Sequence, residues 1–164
     1  AQRYDKIHMA GAFGKGGDFD FFTPGNKRCV KPFAVAGVKV GVEICVDMRY
    51  PETWRLQALA GARLFVHPTA AFGREGAWKL PAIMANLSSR ASENGCWLAH
   101  ANSAGPHQFS RTCILDPDGL LVVQAQPECE QVISAAIDPA FAGRQGFLKL
   151  RRTDVYELRV KGSR

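Results

Sequence analysis

Cys45 has the setting of a nucleophile. The stretch before it, Val38-Lys39-Val40-Gly41-Val42-Glu43-Ile44, is rich in β-branched residues, and the spacing predicts a buried strand over 38–45. A helix is expected over 51–60. Pro51 suits a first-turn position, Glu52 complements the helix dipole, and Gly61 supplies the stop. A thiol at a strand-to-helix corner lies beside backbone N–H groups and the positive end of a helix, and both favour the thiolate. The same N–H groups can hold the oxyanion formed when sulfur attacks a carbonyl or nitrile carbon. Taken alone, a cysteine at a strand end is more often packing than chemistry.

The other cysteines are Cys29, Cys96, Cys113 and Cys129. An odd total, wide spacing and the lack of a CxxC pair argue against a zinc site or a disulfide scaffold. They fit buried thiols in a reducing compartment, hence a cytoplasmic protein. His8, His67, His100 and His107 are not spaced as metal ligands, and His67 and His100 read as satisfied core imidazoles. Gly14-Lys15-Gly16-Gly17 lacks the phosphate-loop pattern and reads as a flexible loop near the site mouth. No metal or organic cofactor is expected.

The elements around this corner alternate. Strands are expected over 62–68, 96–101 and 131–137. A helix is expected over 78–94, with Leu80, Ile83, Met84, Leu87 and Ala91 on one face. Asp116-Pro117-Asp118-Gly119 is a turn signal between two apolar runs, 112–115 and 120–125, and predicts a hairpin. The order β-α-β-α-β plus hairpin implies an α+β, layered α/β fold. The length, 164 residues with 46% hydrophobic and 22% charged, suits one globular domain. Apolar runs such as 33–38 are too short to span a bilayer, so no membrane partner is expected. The first residues lack a basic region followed by an apolar stretch, the signature of a secretory leader. Net charge is +6, and residues 144–164 hold seven basic residues against two acidic ones. Without a zinc-finger, RNA-recognition or helix-turn-helix pattern this reads as a solvated face, not a nucleic-acid site.

Context changes the weight on Cys45. Tyr4-Asp5-Lys6-Ile7-His8-Met9 and, some 40 residues later, Ile44-Cys45-Val46-Asp47-Met48-Arg49-Tyr50-Pro51-Glu52 together resemble the nitrilase superfamily of carbon–nitrogen hydrolases. Further matches are Phe22-Thr23-Pro24-Gly25, Arg90-Ala91-Ser92-Glu93-Asn94, Asn102, Gly105, the 116–119 turn and Arg151-Arg152-Thr153-Asp154-Val155-Tyr156. The resemblance implies a four-layer α-β-β-α sandwich, of which residues 1–160 would be the C-terminal portion. Residues 161–164 would then be a linker or tag remnant. It also implies a Glu-Lys-Cys triad, with Cys45 as nucleophile and Lys6 as the cation at the tetrahedral intermediate. No Glu precedes Lys6 in this chain, so the general base has no match. Asp18 stands where many members have an auxiliary Glu. Asp47 and Arg49 are expected to brace the corner, Arg49 either forked onto a substrate carboxylate or paired with Asp47 or Glu52. Glu52 and Ala70 complete the supporting set. Glu43, two residues before Cys45, is expected on the same strand face, as a buried partner of Lys6 or Arg49 or a partial substitute for the base.

The implied activity is hydrolysis of a small amide, N-carbamoyl compound or nitrile through a thioester. The alternative is a catalytically incomplete binding or regulatory member. The family's assemblies imply a homo-oligomer, with residues 148–158 crossing between subunits.

Overall fold

The computed structural model describes residues 3–11, 16–71, 73–143 and 147–162. Gly14 and Lys15 of the glycine-rich loop, and Ser163 and Arg164, lie outside the described residues.

The alternating pattern folds as a six-stranded mixed sheet in which spatial order follows chain order. Strand β1 (Phe33–Val35) turns over Ala36 and Gly37, both at positive φ, into antiparallel β2 (Val38–Val42). Helix α1 (Pro51–Leu59) connects β2 to β3 (Leu64–Pro68). Helix α2 (Leu80–Asn94) connects β3 to β4 (Trp97–Ala101). Strands β2, β3 and β4 run parallel. The hairpin β5 (Cys113–Leu115) and β6 (Leu121–Gln124) closes the sheet antiparallel to β4. Short 3-10 turns cover Gly17–Asp20, Cys45–Arg49 and Arg74–Lys79.

One face of this sheet carries the core. Phe65, Leu98, Cys113 and Leu115 pack against Trp54 and Ala58 of α1 and Ile83, Leu87 and Ala91 of α2. Gly41 serves this packing, because a Cβ there would overlap the Phe65 ring. The alternate residues Leu64, Val66, Ala99 and Ile114 point to the opposite face and are only half-buried. Sheet and helices form the α+β layering that the element order implied.

Two expectations fail. The segment 131–137 pairs with no strand among the described residues, and Val132 is 94% exposed. Its composition suits a strand, but a strand needs a ladder partner. The β2 strand also ends at Val42 rather than Cys45. Glu43 keeps one bond to the sheet (N–H to the Val66 carbonyl, 3.2 Å), after which the chain turns away.

Candidate functional site

The turn away from β2 is sharp. Ile44 is still extended, but Cys45 sits at φ +53°, in the left-handed region. For a residue with a Cβ this conformation costs about 1–2 kcal/mol, so the surroundings must hold it. Three different elements do so by donating to the carbonyls of the Cys45–Arg49 turn. His67 of β3 lies 2.9 Å from the Cys45 carbonyl through Nε2. Trp54 of α1 donates Nε1–H to the Asp47 carbonyl at 3.1 Å. Arg90 of α2 donates Nε–H to the Met48 carbonyl at 2.9 Å. The Arg90 matched in the late-helix motif therefore acts on the corner from a distance in sequence of 42 residues.

Asp47 holds the turn from inside. It is fully buried and its carboxylate is surrounded by donors. Oδ2 accepts the Ile44 N–H at 3.1 Å and the Tyr4 hydroxyl at 2.9 Å, and Oδ1 accepts the His8 N–H and Nδ1–H at 2.8 Å each. His8 in turn stacks on Tyr50, ring centroids 3.8 Å apart. Asp47 thus braces the corner by linking it to the 4–8 segment. Arg49 is exposed and forms no ion pair with Asp47 or Glu52 among the described residues.

Lys6 lies between Tyr4 and His8 on that segment. Its ammonium forms an ion pair with Asp18, and its side chain is 15% exposed. Asp18 also accepts the Ala10 N–H at 2.9 Å. Burial works to raise the Asp18 pKa, but the bonds from Lys6 and Ala10 outweigh it and leave the carboxyl below its ordinary range. The Pro-Gly loop fixes Lys6 from the other side: Gly25 N–H donates to the Lys6 carbonyl at 2.7 Å. A Cβ at Gly25 would collide with the Asp5 carbonyl. Burial lowers the His67 imidazole to about 4. Lys6 is tied to the corner through its neighbours in sequence, since Tyr4 and His8 on either side of it both bond Asp47 of the Cys45–Arg49 turn.

Glu43 corrects the sequence expectation. Its carboxyl meets neither Lys6 nor Arg49. It accepts from Gln57 Nε2 at 2.7 Å and contacts the Thr53 and Tyr4 hydroxyls, each at 3.1 Å. The reasoning from strand alternation failed because the strand ends at Val42 and Cys45 adopts positive φ. Burial, followed by the Asp47 charge, pushes Glu43 up to about 8. Burial and the same two carboxyls also raise the Tyr4 phenol.

The remaining expected residues are placed as follows. Ala70 is exposed in the loop after β3, where neighbouring Ala71 is clamped by Asn102 through N–H to Oδ1 (2.8 Å) and Nδ2–H to the carbonyl (2.9 Å). Glu52 is exposed and lines a cleft with Arg55, Glu93 and Arg151, a lining that includes neither Lys6 nor Cys45. His67 and His100 are buried, as expected of core imidazoles. Cys29, Cys96 and Cys113 are buried free thiols, and burial raises Cys96 and Cys113 to about 12. No cluster of metal-ligating side chains occurs among the described residues. Nor is any helix long and apolar enough to cross a membrane.

Tyr4 and His8 are the site residues that composition and spacing alone do not single out. Their signal lies in the motif itself, where they stand on either side of Lys6, and both bond Asp47.

The carbon-nitrogen hydrolase family model matches residues 1–145. The chain belongs to that family. The deaminated glutathione amidase of Escherichia coli O157:H7 is 33% identical over 138 residues, which cover 84% of this chain and 50% of the relative. The crystal structure of a carbon-nitrogen hydrolase from Helicobacter pylori G27 superposes with a TM-score of 0.79 at 26% identity, covering 93% of this chain and 59% of that one. An amidase mutant from Nesterenkonia sp. AN1, shown after Michael addition of acrylamide at its active-site cysteine, has a TM-score of 0.66 at 26% identity, over 93% and 55%. The chain thus spans between half and three-fifths of these relatives' lengths. This family membership agrees with both the layered fold and the motifs around Lys6 and Cys45.

Proposed function

We propose that this chain supplies the nucleophile and the cation of a cysteine-dependent hydrolase acting on non-peptide C–N bonds, with small amides or N-carbamoyl compounds as substrates. The observation that carries the reading is Cys45 itself: a non-glycine residue held left-handed at the end of a parallel strand by donors from three elements. Strain of this kind persists where surrounding structure over-determines it, and such sites cluster at reacting groups.

In the proposed reaction the Cys45 thiolate attacks the amide carbon and the carbonyl π electrons move to oxygen. The Lys6 ammonium and the first N–H groups of the Cys45–Arg49 turn stabilise that oxyanion. The intermediate collapses, the C–N bond breaks, and the nitrogen leaves as ammonia or amine after taking a proton. Water then adds to the thioester and releases the acid and the thiol. Asp18 orients the Lys6 ammonium. Asp47, through Tyr4 and His8, keeps the lysine segment in register with the corner. The proton-transfer base of the family's triad is a Glu, and Glu43 does not take that role here, because its oxygens are occupied by Gln57, Thr53 and Tyr4. The roles proposed for this chain are therefore those of the nucleophile and the cation.

The test is a hydrolysis screen of the intact protein and its Cys45→Ala variant against small amides, N-carbamoyl amino acids and nitriles. Turnover of an amide or carbamoyl compound that disappears in the variant supports the reading. Turnover that survives Cys45→Ala refutes it.

A further inference from the structure

His67 and His100 make and break no bond in the reaction above, yet both are buried, at 0% and 2% exposure, with every ring nitrogen in contact. The direction of each contact follows from one fact. The Cys45 carbonyl can only accept, so His67 Nε2, 2.9 Å away, carries a hydrogen. A neutral imidazole has a single N–H, and His67 Nδ1 is therefore an acceptor. It lies 2.8 Å from His100 Nδ1, which must be the donor. The His67 carbonyl, 3.1 Å from that same nitrogen, is a second acceptor for the same proton. His100 Nε2 is then left as an acceptor, and the Ser110 hydroxyl at 2.9 Å donates to it. Ser110 is fully buried.

Neutrality of both rings fits their surroundings. Burial lowers His67 to about 4 and, together with His67, lowers His100 to about 3. Two charged groups bear on His67 and oppose each other: Asp47 raises it and Lys6 lowers it. A neutral donor has a chemical advantage at this place. It grips the carbonyl without adding a second cation to compete with Lys6 for the thiolate.

We propose that Ser110, His100 and His67 form a one-directional hydrogen-bond relay that holds the Cys45 carbonyl and so fixes the left-handed backbone from which the thiol is presented. The proposal rests on reading Cys45 as the nucleophile. His67 is a positioning residue, and His100 and Ser110 fix its tautomer. Loss of the donor frees the carbonyl, lets Cys45 relax toward negative φ, and swings the sulfur out of line with Lys6.

Two measurements test this. Long-range 1H–15N correlation spectra of the intact protein at pH 7 should show His67 protonated at Nε2 only and His100 at Nδ1 only. The opposite tautomer at either ring, or an imidazolium, overturns the relay. This readout needs no variant and no substrate. The second compares His67→Gln, which keeps an N–H near the Nε2 position, with His67→Leu. Alkylation of Cys45 by iodoacetamide, followed by mass spectrometry of its peptide, should slow severalfold in His67→Leu, because the displaced sulfur leaves the cation and N–H groups that favour the thiolate. His67→Gln should recover most of that rate. On an amide substrate the loss should fall on kcat, with KM little changed. Equal alkylation rates in wild type and a folded His67→Leu overturn the proposal. Because alkylation does not require turnover, that failure is distinct from failure of the hydrolase reading, which Cys45→Ala tests.

Discussion

The corner around Cys45 and the stretch after β6 are built on opposite plans. At the corner, the carbonyls of residues 45, 47 and 48 each receive a donor from a different element, and a buried carboxylate gathers the chain ends that meet there. After Gln124 the chain forms no further ladder among the described residues. Its ties to the body include the Trp97 Nε1–H bond to the Asp138 carbonyl and the Gly143 N–H bond to the Gly95 carbonyl. Beyond them Leu150, Val155 and Tyr156 are 74%, 67% and 52% exposed, and Arg152 pairs with Asp154 at the surface. The family model covers the corner and runs on to residue 145, short of the 151–156 stretch. Glu128, at φ +54° in the second region, is exposed, whereas at the corner buried side chains of three elements grip the turn that follows Cys45.

Substitutions should therefore fall on the two regions very unequally. Lys6→Ala should cost the most, about 100–1,000-fold in kcat, because it removes a donor aimed at the oxyanion. Steady-state kinetics on the best amide substrate checks it. Asp47→Ala should come next, losing about 3 kcal/mol of stability, as expected when a buried charged hub is removed and its donors are left unpaired. Urea unfolding of the intact protein gives the figure.

Proton linkage should also concentrate at the corner. His67 and His100 have folded pKa values depressed to about 4 and about 3, below the ordinary 6.5. Their contribution is complete above pH 6.5 and is lost as pH falls toward the folded values. Glu43 runs the other way. Its folded pKa is raised from 4.5 to about 8, so its contribution is complete below pH 4.5 and is lost as pH rises through 8. Thermal melts across pH 4–9 should show both limbs, and Glu43→Gln should flatten the alkaline one by keeping a neutral donor toward Tyr4. Leu150→Ser should do least, within about 0.5 kcal/mol, as for surface sites away from special features. A large loss there would mean that the stretch is more firmly held than its exposure indicates.

The contrast also marks what the sequence could reveal. Helices α1 and α2, strands β3 and β4 and the Asp-Pro-Asp-Gly hairpin followed from local periodicity and turn chemistry, because each is decided within ten or fifteen residues. Strand β1 escaped because three residues carry little pattern, although Ala36-Gly37 between β-branched and aromatic neighbours was its turn signal. The segment 131–137 misled because strand composition does not supply a partner. At the site, Lys6, Cys45 and Asp18 came from motif resemblance, and the structure brings Lys6 and Asp18 into an ion pair. The partners of Glu43 were misjudged because a positive φ at Cys45 cannot be read from alternation. The relay through His67, His100 and Ser110 was equally hidden. Its two imidazoles are adjacent because β3 and β4 pair in register, His67 beside His100, and Ser110 reaches them from the loop before β5.

The most direct test is to trap the covalent state. The intact protein is mixed with an amide that it hydrolyses, quenched in acid within one turnover, and digested for mass spectrometry. The account predicts the acyl mass on the peptide containing Cys45, labile to hydroxylamine as a thioester is, and absent from Cys45→Ala. Hydrolysis that proceeds with no acyl group on Cys45, or an acyl group on another residue, would contradict it.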